Sequence, residues 1–333
     1  MIFENIEFHN VEEMIRCDKG YQMLRLPSYV REQINPTARD EVSRFSTGVE
    51  IRFRLKGNSV NIILSVDENA EAQVAYIYYG SFQGGWQYSS KTIQNETMIT
   101  IPKCNNLYLL KEITGSKSLP FDPELVRIVL PYGTCYYVGV EGEVEPPLKS
   151  QLPKKTYLAY GSSITHGSLS LAAPYTYPFR ISQMLGCDYY NLGFAGSAHM
   201  EKAMAEYIVS RPDWDFASVE MGVNMLKPEF TLELFEERVR VFVDILADDS
   251  RPIFATSIFG FNGPEQEKAQ KYREIVRKYS SNKLIFTDGL ELLNNPAYIS
   301  ADLVHPSLEG MAGISERWSW LMKQYLLAEG EIT

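Results

Sequence analysis

Two short segments of the sequence carry residues that together could transfer an acyl group. One reads Tyr160-Gly-Ser-Ser163-Ile-Thr, and the other, near the C-terminus, reads Asp302-Leu-Val-His305-Pro. A serine hydroxyl is a weak nucleophile, so a neutral imidazole must take its proton, and an acceptor must hold that imidazole in one tautomer. The Asp-x-x-His spacing lets one turn of backbone present both side chains on the same side. Ser163, His305 and Asp302 are therefore a candidate nucleophile, base and orienting acid.

Neither segment is specific by itself. Gly-Ser-Ser turns occur in many loops, and a single Asp-x-x-His is most often a surface pair. Ser162 is a rival nucleophile by residue type alone, whereas the chain has only four histidines from which a base could be drawn. The interpretation therefore depends on the elements that would bring the two segments together.

Length and composition indicate a soluble protein of two domains. The chain has 333 residues, of which 45% are hydrophobic and 22% charged, so it contains enough apolar material for two cores. Its formal net charge of −10 and the lack of any basic run longer than Lys154-Lys155 argue against nucleic-acid binding. An acidic surface suits a neutral substrate better than a polyanion.

The sequence predicts neither a membrane segment nor a metal or disulfide framework. The start, Met1 to His9, is charged, and no stretch reaches the roughly 18 apolar residues of a membrane span, so cytoplasmic residence is expected if this start is the native one. The cysteines form no Cys-x-x-Cys motif and no cluster with histidine, which favours four reduced, mostly buried thiols and no metal site. They are Cys17, Cys104, Cys135 and Cys187.

The first half of the chain has the pattern of an all-β domain. Residues 48–56 alternate apolar and charged side chains, as in a half-buried strand, and further short apolar runs follow between Gly, Pro and Asn residues. Repeated short strands with turn signals predict a β-sandwich of jelly-roll type. The predicted strands are 48–56, 59–66, 72–79, 97–101, 106–111, 125–130 and 135–141.

The second half alternates strands with helices. A segment rich in Pro, Glu and Gly precedes it, so we place the first domain at 1–145, a linker at 146–153 and the second domain at 154–333. The alternation predicts a three-layer α/β/α domain of flavodoxin-like type with a parallel sheet. The predicted strands are 156–160, 187–192, 216–221, 252–257 and 284–287, and the predicted helices are 177–185, 199–210, 231–247, 264–279 and 307–327.

Four polar segments follow strands of this predicted sheet. In such sheets the loops after the carboxyl ends of the strands share one edge, so we expect the four segments to converge. Together they resemble the four blocks of the SGNH (GDSL-like) hydrolases, which carry Ser, Gly, Asn and His in this order. The segments are Tyr160-Gly-Ser-Ser163, Asn191-Leu-Gly-Phe-Ala-Gly196, Glu220-Met-Gly-Val-Asn224 and Asp302-Leu-Val-His305.

The resemblance implies a role for each residue. Ser163 would attack an ester carbonyl after His305 takes its proton, and Asp302 would orient His305. The oxyanion would be stabilised by the backbone N–H groups of Ser163 and Gly196 and by the side-chain amide of Asn224, since developing charge needs preorganised donors. No cofactor and no metal are implied.

The blocks depart from the family pattern at two positions. Ser162 stands where the family usually has Asp, and Met225 stands where it usually has a second Asp. Neither departure removes a group that handles protons or the oxyanion, but both leave the subfamily and the substrate open. The α/β-hydrolase elbow Gly-x-Ser-x-Gly is absent, and a full Gly-x-Gly-x-x-Gly dinucleotide motif is also missing.

Several other residues have two interpretations. His166 and His199 lie near the blocks and could touch substrate, although a satisfied loop histidine is the commoner case, and His9 is expected at the surface. Four aromatic residues could line the mouth of the site or pack in the core: Tyr175, Tyr177, Phe259 and Phe261. The run from Tyr76 to Tyr88, with Trp86, could stack on sugar rings, but a strand and hairpin is the stronger interpretation.

These features predict a serine esterase that removes a small acyl group, plausibly acetyl. The segments beginning at Gly20 and Ser46 look like the β-sandwich that precedes some SGNH esterases, including carbohydrate esterases that deacetylate sugars. This two-domain arrangement is the one feature that suggests a sugar or oligosaccharide ester as substrate. An acyltransferase using the same site and a carbohydrate-binding protein with a decayed site are the alternatives. The sequence leaves a homo-oligomer open.

Overall fold

The first half of the chain folds into two antiparallel sheets. The computed structural model describes residues 1–68 and 70–330. The strands are β1 (Ile2–Phe3), β2 (Ile6–His9), β3 (Glu13–Cys17), β4 (Gly20–Leu24), β5 (Glu50–Leu55), β6 (Ser59–Ser65), β7 (Gln73–Tyr79), β8 (Phe82–Gln83), β9 (Ser90–Ile93), β10 (Glu96–Pro102), β11 (Leu125–Val129), β12 (Tyr136–Glu141) and β13 (Val144–Glu145). One sheet has the order β1-β2-β5-β11-β7-β8, with β13 beside β5 and β9 beside β7, and the other has the order β10-β6-β12-β4-β3. The predicted β-sandwich is confirmed.

Three helices interrupt this domain: α1 (Ser28–Arg31), α2 (Pro36–Asp40) and α3 (Leu107–Lys117). The strand predicted at 106–111 is wrong, because those residues begin α3. A short apolar run does not separate strand from helix by periodicity alone. Here Leu107, Leu110 and Thr114 share the partly buried face of α3, at helical spacing, and no residue of the helix is fully buried.

The second half forms a parallel sheet of five strands: β14 (Thr156–Gly161), β15 (Asp188–Gly193), β16 (Phe216–Glu220), β17 (Ile253–Thr256) and β18 (Ile285–Thr287). Their order in the sheet is β15-β14-β16-β17-β18. This is the flavodoxin-like order, and it confirms the predicted α/β/α domain. The helices are α4 (Ser163–His166), α5 (Tyr177–Leu185), α6 (Lys202–Ser210), α7 (Leu232–Ala247), α8 (Gln266–Ser280), α9 (Gly289–Leu292) and α10 (Leu308–Ala328).

Side chains of β14 alternate between two cores, as the two-residue period of a strand requires. Tyr157 and Ala159 join the core under α5 and α10, and Leu158 and Tyr160 join the core under α6, α7 and α8. The second core also contains apolar side chains of the first half of the chain, among them Leu26, Val30 and Val42. The sandwich therefore contributes part of the core beneath the parallel sheet.

Strand β5 is buried on both faces, so the prediction of a half-buried strand is wrong for its charged side. Ile51 and Phe53 point into the sandwich core, while Glu50 and Arg52 face the second domain and are fully buried. Both terminal nitrogens of Arg52 donate to Asp188 at 2.7 Å, and Arg52 and Arg127 both donate to Glu50. Because buried charges are tolerated only when paired, this network fixes how the sandwich sits on β15.

Side chains of the sandwich also bond the outer carbonyl oxygens of β15, the edge strand of the parallel sheet. The uncovered edge strand of a sheet exposes backbone groups that lack hydrogen-bond partners. The outer carbonyl oxygens of β15 instead have partners in the sandwich. The expectation that His9 lies at the surface is wrong, since this histidine is buried in the interface. The contacts are His9 Nε2 to Tyr189 O (2.6 Å), Asn10 Nδ2 and Arg25 Nη1 to Asn191 O (3.0 Å each), and Arg25 Nη1 to Gly193 O (3.0 Å).

In the part of the chain that the structure describes, no helix is both long enough and apolar enough to cross a membrane.

Candidate active site

Ser163 is the first residue of α4, immediately after β14, and its side chain is nearly buried. Its Oγ lies 2.7 Å from Nε2 of His305. The neighbouring Ser162 is the N-cap of α4, and its Oγ accepts a hydrogen bond from the backbone N–H of Ile164 at 3.1 Å. The structure therefore brings Ser163, and not Ser162, to the histidine. Ser and Asp are both preferred N-cap residues, which explains how Ser162 can occupy the position where the family usually has Asp.

Asp302 and His305 lie in the loop that precedes α10. Nδ1 of His305 donates to Oδ2 of Asp302 at 2.5 Å, so a continuous chain of hydrogen bonds runs from the carboxylate to the Ser163 hydroxyl. Oδ1 of Asp302 accepts from the Ser300 hydroxyl at 2.5 Å and from the backbone N–H groups of Val304 and His305 at 3.0 Å each. Partial burial acts to raise the pKa of Asp302, but these hydrogen bonds outweigh it and hold the pKa well below its ordinary value.

The two other residues of the predicted oxyanion hole follow β15 and β16, the two strands that flank β14. Gly196 lies in the turn after β15 with a φ of 64°, where a Cβ would project into open space. Asn224 lies in the short helical turn after β16, and its Oδ1 accepts from the N–H of Ala198 at 3.0 Å. That bond uses the amide oxygen, so Nδ2 is the part of the side chain that can donate. Among the described residues, no hydrogen bond uses the N–H of Ser163 or of Gly196.

Glu220 is a buried carboxylate behind the nucleophile turn that the sequence reasoning did not single out. It ends β16, and its Oε2 accepts from the N–H of Ser162 at 2.7 Å and from the hydroxyl of Thr165 at 3.3 Å. Its Oε1 is buried and has no hydrogen-bond partner among the described residues. Burial raises the pKa of Glu220, although the hydrogen bonds from Ser162 and Thr165 act in the opposite direction. The carboxylate ties the nucleophile turn to the strand that leads to Asn224.

Gly161 makes this arrangement possible. A Cβ at this position would lie 2.1 Å from Oγ1 of Thr165 and 2.7 Å from Oε2 of Glu220, closer than atoms can approach. A side chain at 161 would therefore displace Glu220 from the turn. The glycine before the two serines is required by close packing and not by a positive φ.

His166 and His199 lie near the site without joining the chain from Asp302 to Ser163. His166 is fully buried, with Nδ1 3.0 Å from the carbonyl oxygen of Gly193, and burial together with Arg25 holds its pKa well below the ordinary value. His199 packs on Phe230, and burial lowers its pKa as well. Both are therefore structural imidazoles in this arrangement.

Most of the aromatic residues proposed for the mouth are core residues. Tyr177, Phe259 and Phe261 are buried, while Tyr175 is 44% exposed and remains available at the surface. The run from Tyr76 to Tyr88 is a strand and hairpin, as the stronger interpretation had it. Trp86, at its tip, is fully exposed.

The cysteines are unpaired, and no metal site is found in the described residues. Cys135 and Cys187 are buried, Cys104 is partly buried and Cys17 is exposed. Within residues 1–68 and 70–330, no group of three or more His, Cys, Asp or Glu side chains is arranged to hold a metal ion.

A parallel α/β/α domain whose strand ends carry Ser163, Gly196, Asn224 and His305 is of the SGNH hydrolase type. Residues 159–312 match the model of the GDSL-like Lipase/Acylhydrolase family. This match confirms the resemblance found in the four sequence blocks, all of which lie within the matched residues. No curated protein matches the sequence.

Solved structures share both domains of this fold at low sequence identity. The salicylyl-acyltransferase SsfX3 from a tetracycline biosynthetic pathway is 16% identical with a TM-score of 0.73, covering 98% of this chain and 95% of its own. A Bacteroides ovatus protein assigned as a GDSL-like lipase is 17% identical with a TM-score of 0.66, covering 98% of both chains. A family two carbohydrate esterase from Clostridium thermocellum, solved with cellohexaose, is 12% identical with a TM-score of 0.56, covering 84% of this chain and 92% of its own.

Proposed function

We propose that the protein is a serine esterase that hydrolyses a small acyl ester, with acetyl as the acyl group and a carbohydrate as the alcohol. The observation that carries this proposal is the chain of hydrogen bonds from Asp302 through His305 to the Ser163 hydroxyl. It contains the nucleophile, the base and the orienting acid that acyl transfer requires.

In this proposal His305 takes the proton of Ser163 as its Oγ attacks the ester carbonyl. The negative charge of the tetrahedral intermediate falls on the former carbonyl oxygen, where the N–H groups of Ser163 and Gly196 and the amide of Asn224 donate. His305 then gives its proton to the leaving alcohol. Water attacks the resulting acyl-enzyme by the same route, which releases the acid and restores Ser163.

The substrate class has weaker support than the reaction type. The likeness to the Clostridium thermocellum carbohydrate esterase supports a carbohydrate alcohol, although at 12% identity it shows only a shared fold. The family plan described above supports acetyl. The net charge of −10 is consistent with an uncharged substrate.

An acyltransferase is the second candidate. The salicylyl-acyltransferase shares its fold over 98% of this chain. The same acyl-enzyme would serve both reactions, and the outcome depends on whether water or an alcohol reaches it. Product analysis with acceptor alcohols present separates the two: free acid indicates hydrolysis, and a new ester indicates transfer.

The proposal is tested with a panel of p-nitrophenyl esters of increasing chain length, run beside acetylated oligosaccharides. We expect the highest kcat/KM for acetyl, release of acetate from the oligosaccharides, and no activity in Ser163→Ala. A preference for long acyl chains would contradict the small-acyl assignment. Binding of oligosaccharides without turnover of any ester would instead identify a carbohydrate-binding protein with a decayed site.

A further inference from the structure

A cavity of about 520 Å³ lies between the two domains, beside the nucleophile turn. Its wall on the sandwich side includes Val74, Tyr76 and Pro131, and its other wall is the segment 167–176 that follows α4. Pockets that bind small molecules have volumes of roughly 300–1,000 Å³ and often lie where two domains meet. The cavity is therefore large enough to hold part of a substrate.

The serine and threonine side chains of the cavity wall form hydrogen bonds with other atoms of the protein. The Ser170 hydroxyl donates to the carbonyl oxygen of Gly167 at 2.7 Å, and the Thr176 hydroxyl donates to that of Ala173 at 3.0 Å. The hydroxyl of Ser168 lies 2.8 Å from that of Tyr132, across the two domains. Because these groups already have partners, the groups left to meet a ligand are mainly apolar side chains.

Two leucines in this wall have a backbone conformation that leucine rarely adopts. Leu169 has a φ of 60° and Leu171 a φ of 66°, and their side chains are 50% and 78% exposed. A left-handed conformation costs energy for a residue with a Cβ, and exposed leucines gain little from burial to offset that cost. Strained residues of this kind cluster at ligand clamps.

The wall is attached directly to the nucleophile. The N–H groups of Gly167 and Ser168 both donate to the carbonyl oxygen of Ser163 at 2.9 Å. Thr47 of the sandwich donates to the carbonyl oxygen of His166 at 2.7 Å. The wall is therefore joined by backbone hydrogen bonds to the short helix that begins at Ser163.

We propose that this cavity binds an uncharged, apolar group of the ester substrate, aromatic or branched aliphatic, and that Leu169 and Leu171 contact it. The inference rests on the proposed esterase reaction alone and not on the acetyl and carbohydrate assignments, and a response in the acyl series would replace the acetyl assignment. Glu71 at the rim, exposed and acidic, disfavours an anionic ligand. The group belongs either to the acyl part or to the alcohol part, and the experiment distinguishes the two.

The test uses Leu171→Gly and two series of esters. A glycine accepts the positive φ, so this variant should keep the wild-type Tm or exceed it. One series varies the acyl group, with p-nitrophenyl acetate against p-nitrophenyl benzoate, and the other varies the alcohol, with methyl acetate against 2-phenylethyl acetate. We expect kcat/KM for the apolar member of one series to fall at least about tenfold, with that of its small partner unchanged. The series that responds identifies the part of the substrate in the cavity.

Leu109→Ser is the control, since Leu109 is another exposed leucine, on α3, that does not line the cavity. Equal losses for large and small esters, or no loss in either series, would overturn the proposal. If the wild type hydrolysed no ester, the esterase function would fail by itself. Calorimetry would then decide the cavity proposal by measuring the binding of 2-phenylethyl acetate and p-nitrophenyl benzoate to Ser163→Ala and to the double variant that also carries Leu171→Gly. Weaker binding to the double variant supports the proposal. Unchanged or undetectable binding refutes it.

Discussion

Four hydrogen bonds hold the Asp302 carboxylate at the end of the hydrogen-bonded chain that leads to Ser163. The Ser300 hydroxyl and two backbone N–H groups bind one oxygen, and the His305 ring binds the other. The side chain is 40% exposed, so burial does not keep it in place. The bonds do so instead, and they also keep it ionised by lowering its pKa. In the proposed mechanism Asp302 thereby fixes the tautomer in which Nε2 of His305 can accept the serine proton.

Asp302→Asn should therefore lower kcat by about 10²–10⁴-fold while changing Tm little. The amide can present an N–H to Nδ1 of His305 and so favour the wrong tautomer. Steady-state kinetics with p-nitrophenyl acetate measures the effect. Ser300→Ala, which removes one of the four bonds, is the control and should cost much less. An Asp302→Asn enzyme with near wild-type kcat would show that the carboxylate does not orient the base.

The residues of the candidate site differ in how visible they are in the sequence. Ser163, Gly196, Asn224, Asp302 and His305 could be predicted because each lies in one of four ordered blocks, three of which come within a few residues of a strand end. Glu220 could not be assigned a contact, because its partners come from another strand–helix turn. A signal was present nevertheless, since Glu220 is the one charged residue of β16.

At the scale of elements, β14, β15, β16 and β18 bring the blocks to one edge of the parallel sheet. Their bounds could be predicted within one or two residues, because short apolar strands alternate with amphipathic helices. The prediction failed at α3, where a short apolar run fits strand and helix equally well. The contact that aligns the α4 turn with β16 is the Glu220 carboxylate, so this contact should be needed for activity.

We expect Glu220→Ala to reduce kcat more than it raises KM, and to lower the free energy of unfolding by about 1–3 kcal/mol. It leaves the buried N–H of Ser162 without an acceptor. Glu220→Gln keeps an acceptor oxygen of the same reach and should retain most of the activity. Kinetics and chemical denaturation of the two variants measure these effects. A stable Glu220→Ala protein with wild-type kcat would show that the contact does not position the nucleophile.

At the scale of the whole molecule, the sandwich and the parallel sheet meet through buried charges and capped carbonyl groups. Arg25 donates to carbonyl oxygens of both domains, and burial lowers its pKa to about 9, so it stays cationic at neutral pH. This interface could not be predicted, because the alternation of β5 reads equally well as a strand with a solvated face. The sequence does not show that Asp188 of β15 forms an ion pair with Arg52 of β5, and this pairing is what allows the charged face of β5 to be buried.

The interface should make stability depend on pH. Burial acts to raise the pKa of Glu50, but Arg127 and Arg52 outweigh it and lower the pKa from 4.5 to about 2. Below about pH 4.5 the unfolded chain takes up this proton and the folded chain does not, so about 3 kcal/mol of stability is lost as the pH falls toward 2. Burial also lowers the pKa of His9, His166 and His199, so a further loss begins below about pH 6.5, where the unfolded histidines become charged.

Urea denaturation at pH 7, 5 and 3 measures this dependence. The free energy of unfolding should decrease from pH 7 to 5, where the histidines act, and decrease further from pH 5 to 3, where Glu50 acts. Glu206→Gln, which removes an exposed ion pair with Lys202, should leave the curve unchanged. A free energy of unfolding that is constant between pH 7 and 3 would contradict the assigned buried charges.

The central claim is that Ser163 is the nucleophile, activated by His305. It is tested most directly by reacting the protein with a fluorophosphonate, which loses fluoride to an activated serine, and locating the adduct by peptide mass spectrometry. We predict one adduct per chain, on Ser163, formed far more slowly in His305→Ala and absent from Ser163→Ala. An adduct on Ser162, or ester hydrolysis that persists after Ser163 is fully labelled, would contradict the assignment.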